Sequence, residues 1–182
     1  MPFNTDNYIA FQEREEKAHK DSLVPIGTYN WEIESSEVTE VSGVPRLRVV
    51  HRLDASNNGQ VGRIHSEFFN WYANENTESD TPYEQRERNL RGLTSRKLQG
   101  YMKALSSCPT STQEVGDSYE ECLTELNKAD DTVEVRELMV ALGDLLEGQY
   151  ITGRISHSKT GWANLAAVPF DARIGAAESI AV

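Results

Sequence analysis

The chain has 182 residues and a net charge of −11, a length that suits one domain, or one domain with an arm. At this size folding buries about 70% of the surface an unfolded chain exposes, so no staples are needed. Two cysteines without CxxC spacing argue against a disulfide framework and fit a reducing, cytoplasmic setting (that of a host cell if the protein is viral), while no apolar signal region opens the chain and no run approaches the ~18 apolar residues of a membrane span.

Residues 1–22 are polar and charged and read as an arm or short helix. A domain over 23–170 follows, with a tail over 171–182. Tyr29, Trp31 and Ile33 alternate with polar residues, a period of two that predicts a first strand over 28–36. A second strand over 44–53 turns Leu47, Val49 and Leu53 one way and Arg46, Arg48, Val50 and Arg52 the other. Asn58-Gly59 signals a hairpin, since a type I′ turn needs positive φ at both central residues. In the third strand, 61–72, Ile64, Ser66, Phe68 and Asn70 share a face opposite Arg63, His65, Glu67, Phe69 and Trp71.

The period then becomes helical over an insert at 81–147. Thr81-Pro82-Tyr83-Glu84 reads as a capping box with proline at the first helical position. The first helix ends before Pro109, with Gly92 and Gly100 marking a break or a close approach. A second helix opens at 118–121 and a third at 131–134, with Gly148 at its C′ position. Strands return over 149–157 and 162–170, joined by a hairpin loop at 158–161.

The expected class is mainly β with a helical insert (α+β), in the order βββ–helices–ββ. That is the chain order of a five-stranded OB-fold barrel, whose binding surface uses strands two and three and the loops joining one to two and four to five.

Catalytic patterns are sparse. His19, His51, His65 and His157 form no metal motif, and there is no P-loop and no GxSxG elbow. The expectation is a protein that is not an enzyme and needs no metal or cofactor. A metal-dependent nuclease assembled from distant carboxylates stands as a further alternative.

The charge is unevenly spread. Residues 46–103 carry +3, between −6 over 1–40 and −9 over 104–147. One face of strands two and three is expected to gather Arg46, Arg48, Arg52, Arg63, His65, Phe69 and Trp71, with Asn30 added from strand one. Cations for phosphates beside flat rings for bases make a surface for single strands. Lys159 and Trp162 add to it from the last hairpin, where Trp162 is either a stacking ring or a plug. Phe69 and Trp71 have an alternative place in the core under the insert, and the arginines an alternative as a solvated face. Tyr29, Trp31 and Phe68 alternate with polar residues and are expected in the core. Arg86, Arg88, Arg91, Arg96 and Lys97 on the first helix form a second line of candidates, or a wet helix face.

Pro25-Ile26-Gly27-Thr28-Tyr29 is similar to the P-x-G-x-Y opening of small phage and prophage single-stranded-DNA-binding proteins. Leu146-Glu147-Gly148 and Gly161-Trp162-Ala163-Asn164 resemble that family's L-x-G and G-x-x-N motifs. The resemblance spans about 22–170. It implies an OB-fold, sequence-tolerant binding of single-stranded DNA in replication or recombination, and no enzymatic activity. RNA, and replication or recombination proteins, stand as further partners, and a homo-oligomer is left open. Many such proteins end in an acidic tail, whereas 173–182 holds only Glu178 as an acid. The alternative function is an acidic protein-interaction adaptor or nucleic-acid mimic, which the −11 charge favours.

Overall fold

Five strands form one antiparallel sheet in the computed structural model, which describes residues 13, 14, 23–54 and 60–174. Residues 13 and 14 are helical. The rest of the expected arm, the Asn58-Gly59 turn and the tail beyond 174 lie outside the described residues.

The strands are β1 (Gly27–Val41), β2 (Val44–Leu53), β3 (Ile64–Asn70), β4 (Tyr150–His157) and β5 (Ala163–Val168). The helices α1 (Tyr83–Ser107), α2 (Gln113–Lys128) and α3 (Thr132–Leu146) all fall between β3 and β4 in the chain. The strand order in space is β3-β2-β1-β4-β5. The α+β class and the chain order are those expected, but the sheet is open: β3 and β5 are its two edges, with no ladder joining them into a barrel. The two edges meet through a side chain instead, the Glu67 carboxylate accepting the Leu165 N–H at 3.1 Å. A side chain set between two backbones holds them beyond the 4.7–4.9 Å at which strands pair.

β1 runs five residues past its expected end, pairing with β2 as far as Val41, and carries a bulge between Ile33 and Ser35. One extra residue reverses the alternation. Trp31 and Ile33 are fully buried before the bulge, and Ser36 lies against α3 after it. The helices cover one face of the sheet. α1 lies over β3, β4 and β5, α3 lies over β1 and β2, and α2 packs on the other two helices and on no strand. The core between the layers holds Trp31, Leu47, Leu53 and Phe69 from the sheet, with Leu98, Tyr101, Met139 and Leu146 from the helices. No helix among the described residues is long and apolar enough to cross a membrane.

The helix ends follow local chemistry, with two departures. The capping box at Thr81 does not form: Pro82 is itself the N-cap, and it has no side chain with which to cap. α2 begins at Gln113, before the expected 118, because Thr112 Oγ1 accepts from Val115 N at 3.3 Å. Gly148 takes φ +76 just beyond α3, as a C′ glycine does. α1 passes unbroken through Gly92 and Gly100. Gly100 is the close approach, since a Cβ there would stand 3.1 Å from the Ala167 carbonyl oxygen.

The first four residues of the expected tail fold back on the sheet. Asp171 N donates to Thr152 Oγ1 at 2.8 Å, and Asn30 Nδ2 donates to the Asp171 carbonyl at 3.2 Å. Asn30 is therefore buried beneath them on the outward face of β1.

Two glycines predict opposite outcomes for one substitution. A Cβ at Gly143 would come within 2.9 Å of Ser36 Cβ, while Gly92 in α1 faces open space. Gly143→Ala is expected to cost about 1–3 kcal/mol by pushing α3 off β1. Gly92→Ala is expected to add about 1 kcal/mol from helix propensity. Urea unfolding at pH 7 checks both.

Candidate functional site

The outward face of β2 and β3 carries the arginine row. Arg46 pairs in register with Asn70, Arg48 with Phe68, Val50 with Ser66 and Arg52 with Ile64. The ring among the arginines is therefore Phe68, which is 41% exposed. The Arg46 guanidinium lies 4.4 Å from the Phe68 ring centroid and that of Arg48 lies 6.0 Å away. Arg48 also donates to Glu37 at 2.9 Å and to Ser66 Oγ at 3.1 Å, and Arg52 is paired with Glu34. Arg46 has no ion pair among the described residues. Arg63, next to the hairpin, donates to Gln60 at 2.9 Å.

This corrects the expected grouping. Phe69 is 1% and Trp71 2% exposed, and His65 is buried; all three point under α1, on the opposite side of the sheet from the arginines. Phe68, expected in the core, is outside. The reason is a single residue of register. A two-residue turn at Asn58-Gly59 would pair Arg46 with Trp71 and Arg52 with His65. The observed pairing is one residue shorter, and a slip of one sends every side chain to the other face. Exposed Ile64 and buried Glu67 reverse the usual polarity of those positions, so alternation alone could not reveal the slip.

A buried polar network lies beneath the face. Tyr101 Oη and His51 Nε2 are 2.7 Å apart, and His51 Nδ1 is 3.2 Å from the His65 carbonyl oxygen. The carbonyl can only accept, so Nδ1 carries the proton and Nε2 accepts from the phenol. Burial, reinforced by neighbouring His65, lowers the His51 pKa to about 4. Burial likewise raises the Tyr101 pKa well above its ordinary value, so the phenol stays protonated. Glu67 takes three contacts at once: His65 Nε2 at 2.7 Å, Lys97 Nζ at 2.6 Å and Leu165 N. Burial alone would raise its pKa, but hydrogen bonds from His65 and Lys97, with their charges, bring it below the usual carboxylate value.

Above this network the open seam between β3 and β5 forms a cleft of about 350 Å³, lined in part by Phe68, Lys97, Trp162 and Asn164. Trp162 is 64% exposed, and Lys159 is exposed in the adjoining hairpin. Trp162, on the β4–β5 hairpin, and Phe68, on β3, thus line the same cleft.

The second-line bases divide. Arg88 and Arg96 are exposed, the latter donating to the Gly92 carbonyl at 3.2 Å. Lys97 is tied to Glu67. Arg86 donates to the carbonyls of Thr81 and Asn74, and Arg91 to that of Trp71, so these two anchor the loop between β3 and α1. That loop and the β1–β2 turn enclose a second cleft of about 410 Å³, with Arg46 and Asn70 in its wall. Arg46 thus belongs to this cleft and, through Phe68, borders the seam.

Among the described residues, no group of three or more His, Cys, Asp or Glu side chains is arranged to hold a metal ion. Compared with family models, curated proteins and solved structures, the chain matches none of them.

Proposed function

We propose that the protein binds single-stranded DNA with little regard to sequence, as a phage or prophage replication or recombination protein does, through the outward face of β2 and β3 and the seam between β3 and β5. One observation carries the reading: two exposed rings, Phe68 and Trp162, border one cleft with Lys97, and Arg46 and Arg48 stand over the first ring. Stacked bases need flat partners and phosphates need cations, and each ring can contribute about 1–3 kcal/mol per base. The pairs Arg48–Glu37 and Arg52–Glu34 lie at the surface, where an ion pair is worth about 0–1 kcal/mol, so a phosphate competes readily with either carboxylate. The open sheet is consistent with an OB-fold, which is itself a partly open barrel with its ligand surface on strands two and three.

Titration of a labelled thymidine oligomer over a range of sodium chloride concentrations tests the proposal. Micromolar binding at low salt is expected, with log K falling against log salt by about 0.7 for each phosphate neutralised. No binding at micromolar protein in low salt removes the reading.

The acidic adaptor is the second reading. It is favoured by the −9 charge over 104–147 and by the carboxylates that already occupy Arg48 and Arg52. A basic protein bound in place of DNA, with affinity lost on neutralising acids of α2, supports it.

A further inference from the structure

We infer that the cleft between the β1–β2 turn and the β3–α1 loop is a pocket for one nucleobase of the bound strand, and that it gives an otherwise sequence-tolerant surface a base preference at one position. The inference rests on the strand-binding reading above.

The cleft's volume, about 410 Å³, falls within the roughly 300–1,000 Å³ of small-molecule sites. Its wall has the chemistry of a base pocket. Tyr72 and Tyr83 supply flat rings, and each is backed by a guanidinium, Arg91 5.2 Å from Tyr72 and Arg86 5.6 Å from Tyr83. Asn70, Asn74 and Asn76 supply amides. An amide offers a donor and an acceptor side by side, which is the pattern that reads the hydrogen-bonding edge of a base. The Asn74 side-chain oxygen is committed to Asn76 N at 2.9 Å, which fixes the loop.

Two side chains of the wall each carry a buried polar atom, Arg46 Nε and Tyr72 Oη, with no hydrogen-bond partner among the described residues. An unpaired buried donor is costly, and both atoms are donors. Both side chains are only half-buried, so rotation can turn either donor to an acceptor on a base or phosphate. Arg46 also joins the pocket to the strand path, because the same guanidinium lies over Phe68. A strand stacked on Phe68 therefore passes the mouth of the pocket. This assigns Arg86 and Arg91 a positioning role: they hold the loop and the two tyrosines rather than phosphates.

Photo-crosslinking of the full chain to a 5-iodouracil-substituted oligomer, with the attachment sites mapped by mass spectrometry, tests the pocket. Crosslinks at Tyr72 or Tyr83, in addition to the Phe68 and Trp162 surface, are expected. The Asn70→Ala/Asn76→Ala variant, confirmed as folded by circular dichroism, is expected to narrow the spread of affinities among dT, dC and dA oligomers by about tenfold. Crosslinks confined to Phe68 and Trp162, with the spread unchanged, overturn the pocket and leave strand binding intact. No oligomer binding by the wild-type chain overturns both.

Discussion

The Phe68→Ala/Trp162→Ala variant is expected to bind a thymidine oligomer at least 30-fold more weakly than the wild type, while melting at the same temperature. Each ring removed forfeits about 1–3 kcal/mol of base stacking, so two forfeit roughly 2–6 kcal/mol. The fold should be spared because both side chains are exposed, at 41% and 64%. The converse holds for Phe69 and Trp71. These rings are buried, and truncating either to alanine is expected to cost about 3–5 kcal/mol of stability. Fluorescence anisotropy for binding and thermal denaturation for folding separate the two pairs. Equal affinity of the double variant and the wild type would remove the rings from the interface.

Acid should destabilise the domain strongly. His51 is neutral in the folded protein, its pKa lowered to about 4 from 6.5. The unfolded chain therefore takes up this proton first as pH falls, and stability is lost between pH 6.5 and pH 4. A lowering of this size corresponds to a loss on the order of 3 kcal/mol. Glu67 acts in the same direction. Its folded pKa is depressed, so its contribution is present above the ordinary carboxylate pKa and is lost as pH falls through the folded value. The urea midpoint is thus expected to fall sharply from pH 7 to pH 4.5 through His51, and to fall further below pH 4.5 as Glu67 is protonated. Glu67→Ala at pH 7 should cost about 3 kcal/mol, since it strips partners from His65, Lys97 and the Leu165 N–H together. A midpoint unchanged with pH, or a His51 titrating near 6.5 by NMR, would contradict the network as described.

The element order was readable because each strand carries a period of two and the insert a helical period. β2 was expected at 44–53 and occupies Val44–Leu53. The faces were harder to read. The bulge after Ile33 reverses the parity of β1, and no residue there announces it. The hairpin register differs by one residue from that of a two-residue turn at Asn58-Gly59, and this exchanged Phe68 for Phe69 and Trp71. Glu67 compounded the error, because a carboxylate on the inner face becomes intelligible only once Lys97, thirty residues away, and Leu165 on another strand are seen to hold it. The arginines of β2 were legible as a row by alternation alone. Their carboxylate partners on β1 were not, because ion pairing across strands depends on register.

The most direct test of the binding surface uses the chain's three tryptophans, Trp31, Trp71 and Trp162. The first two are buried at 0% and 2% exposure, whereas Trp162 is 64% exposed. Titrating a thymidine oligomer should quench the wild-type fluorescence. In Trp162→Phe the quench should vanish, while anisotropy still reports binding through Phe68, Arg46 and Arg48. Quenching that persists undiminished in Trp162→Phe, or the absence of binding to either protein, would contradict the account.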